Sequence, residues 1–339
     1  MKVTSTYTKK NNALILLLLC ILLLLTAFAG ILFGSVSIHP REVLHVLASN
    51  SMDSTAYTLI TAVRIPRVLG GCFAGIGLAC AGVILQGVMN NSLASPNTIG
   101  VNSGSGFAVM LAMMLFPAHS DLLPPFAFCG ALFTTLFVFA LAYLADSSRT
   151  TIVLAGITIS SFFNAGINTL KLLDTEISVN LTSFMIGSLS GLTLRKLLLP
   201  CICILTAFCL SLFFARSLNL LGLGDDIARS LGLKVSLARF LLLTLASIMA
   251  GCVVSYAGLL GFVGLIVPHI CRQLFGNDAR FLLPCSALLG GSFVLLCDLA
   301  GRILFAPFEL PAGILMAFIG GPFFLYLLLK KKGGRRINA

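Results

Sequence analysis

Apolar runs close to 20 residues long recur from one end of the chain to the other, separated by short polar turns. As an α-helix, a run of that length spans a hydrocarbon core of about 30 Å. The runs are continuous rather than alternating, so they point to helices and not to barrel strands. Charged residues make up 10% of the 339. An ordinary soluble domain carries about 25%, so this chain has no soluble domain of useful size. The fold class expected is an all-α polytopic membrane protein.

Ten crossings are expected, over Ala13–Gly34, Ile65–Met89, Ile99–Phe116, Pro125–Ala145, Thr151–Leu173, Leu194–Phe214, Phe240–Ala257, Leu259–Leu274, Phe281–Phe305 and Pro311–Leu329. A shorter amphipathic piece, Ile177–Leu189, dips into the membrane without crossing. Residues 1–12 then form a cytoplasmic N-terminal segment, 13–329 the membrane domain and 330–339 a basic cytoplasmic tail. The first run also invites reading as a signal peptide, because Ala27-Phe28-Ala29 resembles a cleavage site. Its length exceeds an h-region of about 7–15 residues, which favours an uncleaved first helix. Charge tests the count. With the N-terminus cytoplasmic, fifteen of the 22 basic residues and four of the 11 acidic ones fall inside, and seven of each fall outside. The whole net charge of +11 is then cytoplasmic, as the positive-inside rule requires. Topology therefore accounts for the basic balance, and nucleic acid is not an expected partner.

Nothing in the sequence carries covalent chemistry. There is no G-x-x-x-x-G-K-[ST] phosphate loop, no HExxH and no GxSxG, so neither ATP binding of that kind nor hydrolysis is expected. Ten of the eleven cysteines lie within apolar runs, Cys271 ends one, and no CxxC occurs. They read as small buried apolar residues, with no metal and no cofactor. His39 and His45 read as ordinary loop residues.

The stretch from Arg64 to Gly106 reads as a tight hairpin, with arginines at its outer end and the uncharged turn Asn90–Thr98 at its inner end. Glycines at Gly71/Gly75, Gly100/Gly104 and Gly187/Gly191, and at Gly258, Gly261, Gly264, Gly290-Gly291 and Gly320-Gly321, suit close helix packing. Ser161, Asn164, Asn168 and Lys171 follow steps of three and four and so share one helical face. That stripe is either interhelical glue or the lining of a watery path. Asp298 and Arg302 stand i,i+4 and can pair while Arg302 still presents charge outside. In the loop from Gly222 to Lys234, Asp225 and Asp226 suit the first turn of a short helix and Gly232 its end. Ile227, Ala228 and Leu231 would give that helix an apolar face. It would serve either a partner or the lipid surface.

RIPR, LQGVMNNSLASPNTIGVNSGSG, GDDIARSLGL, GLLGFVGLIVPHICR and ELPAGILMAFIGGPFFLYLL, in this order over about residues 60–330, together resemble the permeases of ABC importers for iron–siderophores, vitamin B12 and haem. The resemblance implies a vitamin B12 importer permease-like fold of ten helices in a bacterial inner membrane, with both termini cytoplasmic. It implies a dimer, a homodimer ahead of a heterodimer. Two copies of a cytoplasmic ATP-binding cassette ATPase would drive it, and a periplasmic or lipid-anchored binding protein would deliver the cargo. In site terms, Arg64, Arg67 and Arg302 would meet the binding protein. Asp225, Asp226, Ile227, Ala228, Arg229, Leu231 and Gly232 would couple to the ATPase, and the stripe from Ser161 to Lys171 would line the path. Ser95 departs from many relatives, which carry Asp or Glu there. The chain itself would be no enzyme. The competing readings are an ion-gradient-driven secondary transporter and a same-family importer for an oxyanion such as molybdate.

Overall fold

The computed structural model describes residues 9–35, 55–145, 148–174, 181–182 and 184–333. His39, Arg41, Glu42, His45, Asp53, Asp146, Glu176, most of the first half of the dipping piece and the last six residues lie outside that set. The main helices are α1 (Lys9–Leu32), α2 (Ile65–Val88), α3 (Val101–Leu115), α4 (Leu123–Leu144), α5 (Arg149–Leu173) and α6 (Leu194–Phe213). Two short helices follow, α7 (Ala215–Gly222) and α8 (Asp225–Ser230). Then come α9 (Val235–Ala257), α10 (Val263–Phe275), α11 (Ala279–Ile303) and α12 (Ala312–Gly333). Among the described residues, seven helical spans are long and apolar enough to cross a membrane, and shorter apolar helices at Val101–Leu115, Val263–Phe275 and Ala312–Leu327 bring the number to ten.

The boundaries differ from expectation where charge misled. The seventh crossing begins at Val235 rather than Phe240, so Arg239 sits inside a helix, and α12 carries Lys330–Lys332 as helix rather than tail. In both places the helical backbone runs through the charged residues, because a charge does not by itself end a helix, and Arg239 is itself buried. A π-helical turn, Leu59–Arg64, runs directly into α2, and Pro66 opens that helix where its missing N–H costs nothing. Ser148 caps α5 by accepting from the Thr151 N–H at 3.1 Å, and Asp278 caps α11.

The core is built around α2, which packs against α9, α10 and α11 and is buried over most of its length. Small residues permit this. A Cβ added at Gly75 would overlap the Gly290 carbonyl, and one at Gly82 would overlap the Gly264 carbonyl. Gly104 and Gly130 bring α3 and α4 together in the same way. Not every glycine serves packing. Gly191, Gly261 and Gly321 face open space, so their expected packing role is corrected. Gly187 and Gly258 have φ of +75° and +69° and shape turns that lie backbone to backbone. Among the polar links between helices, Tyr256 donates to the Gly70 carbonyl at 2.9 Å and Ser105 to Ala127 at 2.9 Å.

Gly75→Val and Gly82→Val should each lower the thermal midpoint of detergent-purified protein, by overpacking worth about 1–3 kcal/mol. Gly321→Ala, facing open space, should leave it unchanged; fluorescence-detected size exclusion after heating separates these outcomes.

Candidate functional site

At one end of the bundle, three arginines and two carboxylates form a single network. Arg67, on the first turn of α2, donates from Nε to both oxygens of Asp298 on α11, at 3.0 and 3.1 Å. Its Nη1 reaches Glu309 Oε2 at 2.6 Å. Arg302 lies 3.1 Å from the second Asp298 oxygen. The remaining donors serve backbone. Arg64 donates to the carbonyls of Ile31 and Leu32, each at 2.7 Å, and Arg302 to those of Gly30 and Phe33, at 3.1 and 3.2 Å. These are carbonyls at the α1 C-terminus, which no intrahelical N–H can satisfy. The arginines thus cap α1 and complement its negative dipole end.

The expected outward presentation of charge is not what is found. Arg64, Arg67 and Arg302 are only 3%, 5% and 3% exposed. Asp298 is 1% exposed, and in an apolar helix a carboxylate needs a buried cation more than solvent does. The i,i+4 pairing with Arg302 is present, but the stronger partner, Arg67 across the helix pair, has no local sequence signal. Burial raises the Glu309 carboxyl, yet hydrogen bonds from Ser35 and Arg67 outweigh it and hold the group below the usual carboxylate range.

At the opposite end, Asp225 opens α8 and accepts from Arg149 on α5 at 2.7 Å and from Arg239 on α9 at 2.8 Å. It therefore locks α8 onto two crossings rather than facing a partner. Burial pushes its carboxyl up, but Arg239 and then Arg149 hold it below the usual range. Gly232, with φ of +83°, closes α8 by a Schellman turn in which the Leu233 N–H donates to Ala228 at 3.0 Å. The expected single apolar face divides. Ala228 is fully buried, while Ile227 and Leu231, one turn apart, are 51% and 59% exposed. Asp226 and Arg229 are exposed and stand 3.9 Å apart.

Between the two ends runs the α5 stripe. Ile152, Gly156, Phe163 and Ile167 bury one face of α5. Ser161, Asn164 and Asn168 lie exposed on the flank beside it, and Lys171 is half-buried, its Nζ 3.8 Å from Met185 Sδ. Ser161 returns its hydroxyl to the Ile157 carbonyl at 3.0 Å, as Thr158 and Thr169 do elsewhere on the helix. A helix's own carbonyls can take an asparagine N–H but leave its amide oxygen without a donor, and neither Asn164 nor Asn168 has a hydrogen-bond partner among the described residues. Asn164, Ser160 and Ser161 share a cleft of about 470 Å³ with Asn97, Asn102 and Met185. The uncharged inner turn thus faces the same space. Ser95 and Thr98 brace that turn reciprocally: the Ser95 N–H donates to Thr98 Oγ1 at 3.2 Å, and Thr98 Oγ1 donates back to the Ser95 carbonyl at 2.7 Å. Beneath it, Arg272 on α10 donates to the Gln86 side chain on α2. Ser95 and Gln86 both lie in the LQGVMNNSLASPNTIGVNSGSG stretch, but neither carries a charge that would announce its partner. Among the described residues, no group of three or more His, Cys, Asp or Glu side chains could hold a metal ion.

A bundle of membrane-length helices with an uncharged polar cleft on an exposed helix fits a membrane transport subunit. The model of the FecCD transport family matches residues 19–330, and the chain belongs to that family. It is a multi-pass permease subunit of an ABC importer. It is 36% identical to the iron(3+)-hydroxamate import system permease FhuB of Bacillus subtilis, over 91% of this chain and 81% of that one. It is 34% identical to the hemin transport permease HmuU of Yersinia pestis, over 92% and 94%. A solved metal-chelate type ABC transporter in an inward-facing conformation superposes with a TM-score of 0.81 at 33% identity, covering 94% of this chain and 99% of that one.

Two outcomes test the networks. Asp298→Asn should cost about 3–5 kcal/mol by stranding buried cations, read as a large drop in thermal midpoint. Asp225 is held low in the fold, so its stabilisation is complete above the unfolded carboxylate range near 4 and disappears as pH falls through the lower folded value. The gap in thermal midpoint between wild type and Asp225→Asn should therefore be constant from pH 8 to 6 and close on further acidification.

Proposed function

We propose that this chain imports a metal chelate, an iron–siderophore or haem ahead of cobalamin, across a bacterial inner membrane by alternating access. The observation that carries this reading is the exposed, unsatisfied amide stripe of α5. A membrane-spanning helix does not leave two asparagines toward lipid, so Asn164 and Asn168 face water or a second copy. Two copies related by a twofold axis would place two such clefts across a shared path, and a homodimer is the simplest assembly that does so. The names of the relatives support iron-chelate or haem cargo.

The driving partners follow from the two ends. The exposed pair Ile227, on α8, and Leu231, just past its end, is an apolar contact for a cytoplasmic ATPase, two copies per dimer. Asp226, Arg229 and the Gly232 turn flank that contact. Asp225 and Ala228 tie it rigidly to α5 and α9, so a push on α8 reaches the helix that carries the stripe. The arginine end receives the binding protein. There Arg64, Arg67 and Arg302 hold α1, α2 and α11 in place beneath the contact surface. The termini are cytoplasmic, on the side of α8. ATP hydrolysis belongs to the partner.

Leu231→Glu, on the exposed side of α8, should abolish cargo-stimulated ATPase activity in the reconstituted importer. Leu231→Met should preserve it. Stimulation in the Glu variant equal to wild type would remove α8 from the coupling role.

A further inference from the structure

A second membrane-facing feature lies beside α8 and plays no part in the path. Between the end of α4 and the start of α9 there is a groove of about 560 Å³. Its wall is aromatic. Phe139 packs against Phe240 with ring centroids 5.4 Å apart and against Tyr143 at 6.2 Å. Tyr143 remains well exposed and points its ring to the periphery of the bundle. The groove's mouth is basic, formed by Arg229 of α8 and Lys234 just before α9, with Ser236 next to them. Lys234 is exposed and has no carboxylate partner among the described residues. Asp226 stands 3.9 Å from Arg229 and projects fully into solvent.

Hydrocarbon below and cations above, at the end of two crossings, match an amphiphile with an anionic head. We propose that this groove binds an anionic phospholipid, with its phosphate at Arg229, Lys234 and Ser236 and one acyl chain along Phe139, Tyr143 and Phe240. Aromatic residues belong at the depth where head meets chain. Basic pockets between transmembrane helices on the positively charged side recognise acidic headgroups. A phosphate at this mouth contacts α8 and the α9 entry together, and so fixes α8 against the bilayer surface. The groove is distinct from the cleft of the α5 stripe, and the proposal holds whatever the cargo.

The test uses the purified full-length chain, native mass spectrometry, and three probes: palmitoyl-oleoyl phosphatidylglycerol, the matching phosphatidylcholine, and free glycerol 3-phosphate. Phosphatidylglycerol should be retained well above phosphatidylcholine, and glycerol 3-phosphate should not displace it. Lys234→Gln should weaken retention about fivefold, the effect of one basic residue near an acidic headgroup. Tyr143→Ala should weaken both lipids without changing their ratio. Equal retention of the two lipids, or unchanged retention in Lys234→Gln, would overturn the site. Displacement by glycerol 3-phosphate would overturn its assignment to a lipid and leave a free-anion site.

Discussion

The Arg67–Asp298 ion pair, closed at 3.0 Å between α2 and α11, is the interaction on which the rest of the structure depends. A carboxylate buried in a membrane helix is tolerable only with a cation beside it, and the attraction is strong because little water screens it. The pair fixes the register of the two helices at one end. Below it, Gly75 against Gly290 fixes their spacing, and at the far end Arg272 reaches Gln86 from α10. The α2–α11 pair is thereby held at one end by charge and along its middle by close backbone contact, and α10 is tied to α2 at the other end.

The two outermost parts of the molecule are held to the bundle by charge as well as by hydrophobic packing. Helix α1 is apolar on nearly every side and packs Leu23 over Gly291 of α11. Arg302, which also pairs with Asp298, and Arg64 hold its last carbonyls. Helix α8 is too short to be stable by propensity alone, and Asp225 fastens it to α5 and α9. Helix α5, by contrast, buries only a narrow face. A close-packed α2–α11 frame beside an α5 that buries only a narrow face is the arrangement the proposed alternating access would use.

Much of this was legible in the residues. Ten crossings, the short helix opening at Asp225 and ending by Gly232, and the shared face of Ser161 to Lys171 are local patterns, and local patterns survive into the fold. Partnerships across the sequence were not legible. Arg64, Arg67 and Arg302 look like surface charge because each stands near a crossing's end, yet distant carbonyls and Asp298 draw them inside. Ala228 looks equivalent to Ile227 and Leu231, yet which side of a two-turn helix is buried depends on α9. Asn97 and Asn164 lie far apart in the chain and meet only because the Pro96–Ile99 turn packs against α5.

The central claim is that the α5 stripe faces water rather than lipid. It is tested most directly by a nitroxide at Asn164→Cys, in the assembled importer in nanodiscs, in a background lacking the exposed cysteines Cys20, Cys129 and Cys209. The account predicts frequent collision with a water-soluble nickel chelate and little with oxygen. The same label at Phe162→Cys, on the other exposed flank of α5, should show the reverse. An oxygen-dominated signal at position 164, like that at 162, would contradict the account.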